Sequence, residues 1–258
     1  MSVLPSLRRF VPLLMLAGLA LLMVPQPAAA QDIRVVTEEL PPYNMTQGGQ
    51  VTGLATEVVL AVLKEAGLPA APIQVMPWAR AYDTALNGEN VLIYSITRTP
   101  QREKLFKWVG LIAPTQSWLF ALNGRVPPLK SLEDARKYQI ATVNGDAGEQ
   151  YLTGHGFVIG KNLQSSTRYE LNYEKLKGGR VDLWVSNELH ASHVVRQAGD
   201  DPAVTVQRVL PLSDLSSEGG VDMAFSLKTP DAVVERARKA LDTLRKNGTY
   251  ESLQKKWL

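Results

Sequence analysis

The sequence predicts an α/β fold in which mostly parallel sheets are flanked by helices. Three observations support this prediction. Short β-branched runs alternate with helical patterns through the first part of the mature chain. A segment with Gly and two Pro residues, 123–130, then interrupts the pattern before a second alternation begins. The last forty residues return to the strand-then-helix style of the first part. The mature chain is therefore expected to form two α/β units.

The first thirty residues are predicted to be a secretory signal peptide rather than part of the fold. Arg8 and Arg9 precede an apolar run, Phe10–Val24, and the small residues Ala28–Ala30 follow it. This order is typical of a cleaved leader, and the apolar run is too short to span a bilayer comfortably. Cleavage after the last of these alanines would release a periplasmic protein of about 228 residues (258 − 30). The alternative is an uncleaved membrane anchor.

Composition and charge exclude several classes of function. The chain has no cysteine, which rules out disulfides, a thiolate nucleophile, cysteine-ligated zinc and a lipid-modified N-terminal cysteine. Removing Arg8 and Arg9 with the leader leaves 26 basic residues (28 − 2) against 25 acidic ones, a net charge of +1. A nearly neutral protein gives no reason to expect nucleic acid or an anionic membrane as a partner.

The first unit is predicted from short patterns. Ile33–Thr37 is β-branched and ends before two prolines, which predicts a strand leading into a loop. Apolar residues at helical spacing predict a helix over Thr56–Ala66, capped by Thr56 and stopped by Gly67. Further predicted elements are a strand over Ile73–Met76, a helix over Ala79–Leu86 and a buried strand over Val91–Ile96. Because ligands bind at the carboxyl ends of strands in such sheets, the loops after Thr37 and Ile96 are the expected site.

The second unit follows the interruption. Ser131 is expected to cap a helix, Tyr138–Val143 to form a strand, and Asn144–Gly148 to form the loop after that strand. A later strand is predicted over Val181–Val185, followed by a helix that continues through Val195.

The tail of the chain has a clear strand and helix pattern. Val221–Leu227 predicts a strand, Thr229 a helix cap, and Pro230 the first helical position. An apolar stripe follows at helical spacing, and Gly248 is expected to stop the helix.

Several segments share their order and spacing with one known family. The most specific is 224–258, whose strand, long helix, Asn-Gly-Thr-Tyr turn and terminal Lys-Trp are typical of that family. The others are Pro41–Tyr43, TRTPQR at Thr97–Arg102, residues 131–145, and Gly178–Glu188. On these residues the chain resembles the periplasmic solute-binding proteins of family 3, typified by the polar amino-acid receptors of ABC importers.

The resemblance implies a two-lobed, type II periplasmic-binding-protein fold with the ligand in a cleft between the lobes. Lobe 1 would comprise residues 31–122 and 219–258, and lobe 2 residues 123–218. Two crossing segments would join them near Phe120–Gly124 and Leu215–Val221.

Arg102 is the expected partner of a ligand carboxylate. A carboxylate taken out of water needs a planar, permanently charged fork, and in similar proteins the arginine of the motif Thr-Pro-x-Arg supplies it. By position, Thr97 and Ser95 would assist. The alternative is a surface arginine on a turn.

The partner of a ligand ammonium group is less clear from the resemblance. Similar proteins have an aspartate where this chain has Asn187, and a Ser or Thr where it has Ala147, next to Asp146. Either the ligand's cation is met by Glu38, Glu39 or Asp146, or the ligand is not a standard α-amino acid.

Aromatic side chains are expected to form walls of the cleft. Tyr43 and Trp78 are the candidates by sequence order, with packing at a helix start as the alternative for Trp78. Trp118 and Trp184 are expected to be core residues. No cofactor or metal is expected, because His190 and His193, three apart on an exposed helix, lack further ligands.

The resemblance implies a monomeric receptor that closes over a small carboxylate and delivers it to the membrane permease of an ABC importer, without catalytic residues. Two alternatives stay open. One is a periplasmic dehydratase-type enzyme on the same fold, with Glu38, Glu39 or Asp146 as general acid. The other is a sensory module that passes its ligand-bound state to a membrane receptor.

Overall fold

A computed structural model describes residues 33–217 and 219–258, so the predicted signal peptide lies outside the described residues. The strands of the described part of the chain are, in order, β1 Arg34–Thr37, β2 Met45–Gln47, β3 Gln50–Thr52, β4 Gln74–Val75, β5 Val91–Ile96, β6 Phe106–Pro114, β7 Ser117–Leu122, β8 Ile140–Val143, β9 Leu163–Ser166, β10 Leu183–Asn187, β11 Val206–Pro211 and β12 Gly220–Ser226.

The helices of the same residues alternate with these strands. They are α1 Leu54–Glu65, α2 Trp78–Asn87, α3 Leu132–Ala135, α4 Ala147–Gly154, α5 Tyr169–Lys177, α6 Glu188–Gln197, α7 Pro202–Thr205, α8 Asp231–Lys246 and α9 Thr249–Trp257. Across residues 33–217 and 219–258, no helix combines the length and apolarity needed to cross a membrane.

Two five-stranded sheets organise the fold, with orders β4-β1-β5-β12-β6 and β11-β7-β10-β8-β9. The α/β class is confirmed, but the sheets are mixed rather than mostly parallel. Strands β4, β1 and β5 are parallel in the first sheet, and β10, β8 and β9 in the second. The antiparallel strands are those that carry the chain between the sheets: β12 returns beside β6, and β7 pairs with β11. A chain that leaves and returns at the same place must run in opposite directions there.

The chain passes from the first sheet to the second between Pro114 and Ser117 and returns between Pro211 and Gly220. The first passage comes earlier than the expected crossing at Phe120–Gly124. Strand β7 already belongs to the second sheet, where its Phe120 lies opposite Trp184 of β10.

Helices cover both faces of each sheet. In the first sheet, Val35 packs in a cluster with residues of α1 and α8, whereas its neighbour Val36 packs with α2. In the second sheet, Leu183 packs with α4 and Trp184 with α5 and α6. Successive side chains of a strand point to opposite faces, so each sheet is the middle layer of three.

The start of α1 differs from the sequence-based prediction. The helix begins at Leu54, two residues before the predicted start, and its N-cap is Gly53 with φ 117°. Thr56 lies inside the helix, fully buried, with its hydroxyl oxygen 2.9 Å from the hydroxyl of Tyr94. Thr56 was predicted as the cap because threonine is a preferred N-cap residue, and the sequence does not show that its hydroxyl meets Tyr94 instead.

Two other helix starts are also corrected. The segment predicted as the loop 144–148 ends in α4, because the Asp146 side chain accepts a hydrogen bond from the Glu149 amide and caps that helix. In the tail, α8 begins at Asp231 with Pro230 as N-cap. Thr229 instead places its hydroxyl 3.0 Å from that of Ser226 at the end of β12.

Candidate functional site

Four strand ends from the two sheets meet around one cavity. Glu38 follows β1, Thr97 follows β5, Asp146 follows β8 by way of a short turn, and Asn187 ends β10. The cavity volume is about 60 Å³, enough for about four to six water molecules at roughly 10–15 Å³ each. The structure therefore forms a small polar site at the carboxyl ends of parallel strands, where open α/β sheets usually bind ligands.

Arg102 lines this cavity and is almost completely buried, with 1% of its surface exposed. Its Nε donates to Gln150 Oε1 at 2.8 Å, one terminal nitrogen donates to the Thr97 carbonyl at 3.3 Å, and the other donates to the Gly145 carbonyl at 3.2 Å. A guanidinium has five N–H donors, so two donors, one on each terminal nitrogen, have no acceptor among the described residues (5 − 3 = 2). Arg102 thus keeps two donors that the described residues do not use.

Two aromatic rings hold the guanidinium of Arg102 in place. Its Cζ lies 5.1 Å from the ring centre of Trp78 and 4.9 Å from that of Tyr82. Such cation–π contacts are strongest where the cation is desolvated. Trp78 also lines the cavity, so the sequence-based alternative of mere packing at a helix start describes only part of its position.

The cavity wall carries two buried carboxyl groups, Glu38 and Asp146, each 5% exposed. Burial raises the pKa of Asp146 to about 7. Burial, with a smaller contribution from Asp146, raises the pKa of Glu38 well above its usual range. The Tyr169 hydroxyl lies 3.4 Å from Glu38 Oε1. Burial therefore favours the neutral form of both groups, and a cation beside them would favour the ionised form.

Ser95 and Thr97, both predicted site residues, line the cavity as well. The Ser95 hydroxyl donates to Asn44 Oδ1, and the residue has a left-handed φ of 59°. A serine in that region is uncommon and indicates a backbone that its surroundings hold in place. Thr97 acts through its carbonyl, which anchors Arg102.

Two predicted site residues lie outside the cavity. Tyr43 is buried in the core of the first sheet with its hydroxyl 3.4 Å from the Pro114 carbonyl. Glu39 is exposed and accepts hydrogen bonds from Thr46. The loop after β1 therefore presents Glu38 to the cavity and the next carboxylate to the surface. Trp184 is a core residue, as expected.

Asn187 lines the cavity, but its side-chain oxygen accepts the His190 amide at 2.9 Å and caps α6. His190 is fully buried and also lines the cavity, so its expected place on an exposed helix is wrong. Sequence analysis also missed Tyr169. The signal for His190 was its spacing, since a residue three after an N-cap lies in the first helical turn, close to the strand end. Within residues 33–217 and 219–258, no three His, Asp or Glu side chains form a group suited to a metal ion.

Comparison with known proteins agrees with this architecture. Residues 33–258 match the family model described as bacterial extracellular solute-binding proteins, family 3. The lysine/arginine/ornithine-binding periplasmic protein of Escherichia coli K12 is 26% identical over 65% of this chain, and the match covers 64% of that protein. The arginine-binding extracellular protein ArtP of Bacillus subtilis 168 is 21% identical over 84% of this chain and 81% of its own length.

Solved structures support the same fold. An ancestral arginine-binding protein bound to arginine is similar with a TM-score of 0.74 and 23% identity, covering 88% of this chain and 98% of that one. A histidine kinase sensor domain described as similar to periplasmic binding proteins also has a TM-score of 0.74, with 20% identity over 88% of this chain and 96% of its own. The family and its named curated relatives are binding proteins. With a family match that spans all of the described residues, this chain belongs to the bacterial extracellular solute-binding proteins, family 3.

Proposed function

We propose that the protein is a periplasmic receptor that captures an amino acid or a close derivative between two lobes and delivers it to an ABC importer. One observation carries this proposal: a buried guanidinium, Arg102, and two buried carboxyl groups, Glu38 and Asp146, line the same small cavity. A zwitterion has the complementary charges. A simple anion or a simple cation would satisfy only one part of this set.

The carboxylate of the ligand would bind the two remaining donors of Arg102. These donors lie on the two terminal nitrogens, and a carboxylate accepts such a pair through its two oxygens. The rings of Trp78 and Tyr82 fix the guanidinium from the side. Little side-chain entropy would be lost on binding, because the arginine is already ordered.

The ammonium group of the ligand would bind next to Glu38 and Asp146. The charge of the ligand would favour ionisation of both carboxyl groups and offset part of their desolvation. In this proposal the ammonium group does not depend on Asn187, whose side-chain oxygen already accepts a helix amide. The negative charge that similar proteins have at the position of Asn187 would instead come from Glu38 and Asp146, in the loops after β1 and β8.

The two sheets would form the cores of two lobes that close over the ligand. We place the lobe boundaries at the two passages between the sheets, 114–117 and 211–220, in place of the limits expected from the resemblance. Hydrogen bonds already join the two sides, for example from Trp78 Nε1 to the Gly145 carbonyl at 2.8 Å. A ligand that contacts both sides would shift a hinge equilibrium towards the closed form.

The names of the relatives support an amino-acid ligand and a transport role. They include lysine/arginine/ornithine-, arginine- and cystine-binding proteins, and one similar solved structure is described as the substrate-binding protein of an amino acid ABC transporter. The predicted signal peptide supports export to the periplasm. The mature protein would act as a monomer that docks on its permease in the closed form.

Binding measurements on matched arginine variants test the proposal. Small molecules released from natively purified protein are identified by mass spectrometry, and the twenty L-amino acids are then screened by calorimetry. Arg102→Gln should weaken the amino acid that binds by roughly a hundredfold, because a charged, bidentate pair is lost. Arg98→Gln is the control, since Arg98 pairs with Glu103 outside the cavity lining. Equal affinities of the two variants would contradict the proposal.

A second candidate function, acid catalysis, is favoured by one observation. Glu38 and Asp146 are buried carboxyl groups with raised pKa values, which is what a general acid requires. A dehydratase on this fold would convert a cyclic hydroxy carboxylic acid into water and an unsaturated acid. Incubating the purified protein with such acids and analysing the mixture by chromatography separates the two functions, since a receptor yields no product.

A further inference from the structure

His190 occupies a position in the cavity that neither the carboxylates nor Arg102 explain. It is the third residue of α6, and its amide donates to the Asn187 side chain that caps the helix. The residue is fully buried and is one of those that line the cavity. The ring of Tyr169 packs edge-on against it, with ring centres 4.9 Å apart. These contacts fix the orientation of the imidazole.

The protonation of His190 follows from its partner. Its Nδ1 lies 2.8 Å from the carbonyl oxygen of Pro41. A carbonyl oxygen can only accept, so Nδ1 must carry the hydrogen. Burial lowers the pKa of His190 to about 4, which means that the ring carries one proton at neutral pH. Its second nitrogen, Nε2, is therefore a bare acceptor.

This acceptor is unused. Nε2 is buried and has no hydrogen-bond partner among the described residues. The hydroxyl oxygen of Ser186, which also lines the cavity, is likewise buried and has no hydrogen-bond partner among the described residues. A buried polar atom without a partner destabilises the folded state, and native proteins seldom keep one unless it has a use. Ser186 lies near the end of β10 and His190 in the first turn of α6, so the junction of these elements carries two unpaired polar atoms in residues that line the cavity.

We propose that His190 is a specificity-determining residue whose Nε2 accepts a hydrogen bond from the ammonium group of the ligand. The inference rests on the proposed function and deepens it. An ammonium group has three N–H donors, and three residues that line the cavity carry acceptors: Glu38, Asp146 and His190 through Nε2. The neutral Nε2 of His190 would supply the third acceptor without adding a third negative charge to those of the two carboxylates. A ligand with a carboxylate but no donor would leave Nε2 unpaired.

Two substitutions separate ligand binding from the loop contact. His190→Asn places an amide N–H close to the position of Nδ1, so it retains a donor for Pro41, and it has nothing at the position of Nε2. His190→Phe removes both nitrogens and keeps a ring of similar shape. His193→Phe is the control, because His193 lies on the same helix outside the cavity lining. Thermal unfolding of each variant checks that it folds.

Calorimetry with three matched pairs of probes measures the proposed bond: L-arginine and 5-guanidinopentanoate, L-lysine and 6-aminohexanoate, and L-alanine and propionate. Each pair differs only in the α-amino group. His190→Asn and His190→Phe should weaken the amino acid that binds by roughly tenfold to a hundredfold and leave its partner acid unchanged. Unchanged affinity for the amino acid, or an equal loss for both members of the pair, would overturn the inference.

If no probe binds, the proposed amino-acid function is contradicted. Nitrogen NMR of the imidazole rings still tests the inference about His190 in that case. The spectrum of the empty wild-type protein, assigned by comparison with His190→Phe, should show Nδ1–H and an unprotonated Nε2 for His190. A ring protonated at Nε2 would contradict the inference. Where an amino acid binds, the Nε2 resonance should also shift upfield as it accepts the hydrogen bond.

Discussion

The indole nitrogen of Trp78 lies 2.8 Å from the carbonyl oxygen of Gly145, which joins α2 on the first sheet to the turn after β8 in the second. The same oxygen accepts hydrogen bonds from Arg102 at 3.2 Å and from Gln150 at 3.1 Å. Three donors thus converge on one carbonyl, two of them from the other side of the cavity. This carbonyl is a point at which the two sides of the site are held together.

The first prediction concerns this bond. Trp78→Phe removes the N–H that bonds to Gly145 but retains a ring near Arg102. The two sides of the cavity should therefore separate more often in the ligand-free protein. We expect a larger radius of gyration by small-angle X-ray scattering and a twofold to tenfold weaker affinity, as for the loss of about one neutral hydrogen bond. Trp108→Phe is the control, because Trp108 donates to the Glu103 carbonyl on its own side. Equal radii for the two variants would refute this role.

Asp146 should make the empty protein less stable as the pH rises. Its pKa is about 7 in the folded protein against an ordinary 3.8, so the folded state binds the proton more tightly than the unfolded chain. Stability therefore falls between about pH 4 and pH 7, by up to about 1.4 kcal/mol per pH unit for this group. Asp146→Asn keeps a capping oxygen for α4 and should flatten the slope in urea titrations. An unchanged slope would contradict the prediction.

Binding of a cationic group should release protons from the cavity. An ammonium group would lower the pKa of Glu38 and Asp146, so the amino acid that binds should do so with net proton release near pH 6 to 7 and more tightly as the pH rises. Calorimetry in buffers of different ionisation enthalpy measures this release. The number of protons released should be smaller in Glu38→Gln and unchanged in Glu39→Gln, since Glu39 is exposed and hydrogen-bonded to Thr46. Equal release from both variants would exclude Glu38 as the source.

Gly53 should be needed for the start of α1. Its φ is 117°, and a Cβ there would lie 2.5 Å from the Tyr43 carbonyl oxygen and 2.7 Å from that of Pro42. We expect Gly53→Ala to lower the free energy of unfolding by about 3 kcal/mol, from backbone strain and this overlap. Gly49→Ala, at φ 79° with open space around it, should lower it by about 1 kcal/mol. Denaturant titrations compare the two, and similar losses would show that the close approach does not matter.

The fold could be predicted where local patterns were strong. Strand β5 was predicted with its observed bounds, Val91–Ile96, because the run consists of apolar and aromatic residues and one serine, and all of them are buried as expected. Strand β6 was missed because its pairing with β12 is irregular, with register shifts that break the alternation. Helix α4 was missed because Gly148 in its first turn made the segment look like a loop. Strand direction depends on long-range pairing, which local patterns do not encode.

The site could be predicted only in part. The motif that contains Arg102 and the loop position of Asp146 were readable from the chain. The choice between Glu38 and Glu39 was not, because neighbouring residues after a strand face opposite ways and the register is set by the sheet. His190 was misjudged because its burial depends on Tyr169 and Pro41, which lie far from it in sequence.

Under the proposed binding mode, the two remaining donors of Arg102 would also limit which anions the site accepts. Three of its five N–H groups are satisfied by the protein itself, which leaves two donors for the two oxygens of a single planar acid group in that mode. A phosphonate or sulfonate would bring a third oxygen that has no further guanidinium hydrogen to meet it. The arginine's own internal bonds would thus act as a filter against tetrahedral oxyanions and leave planar ones to compete for the cavity.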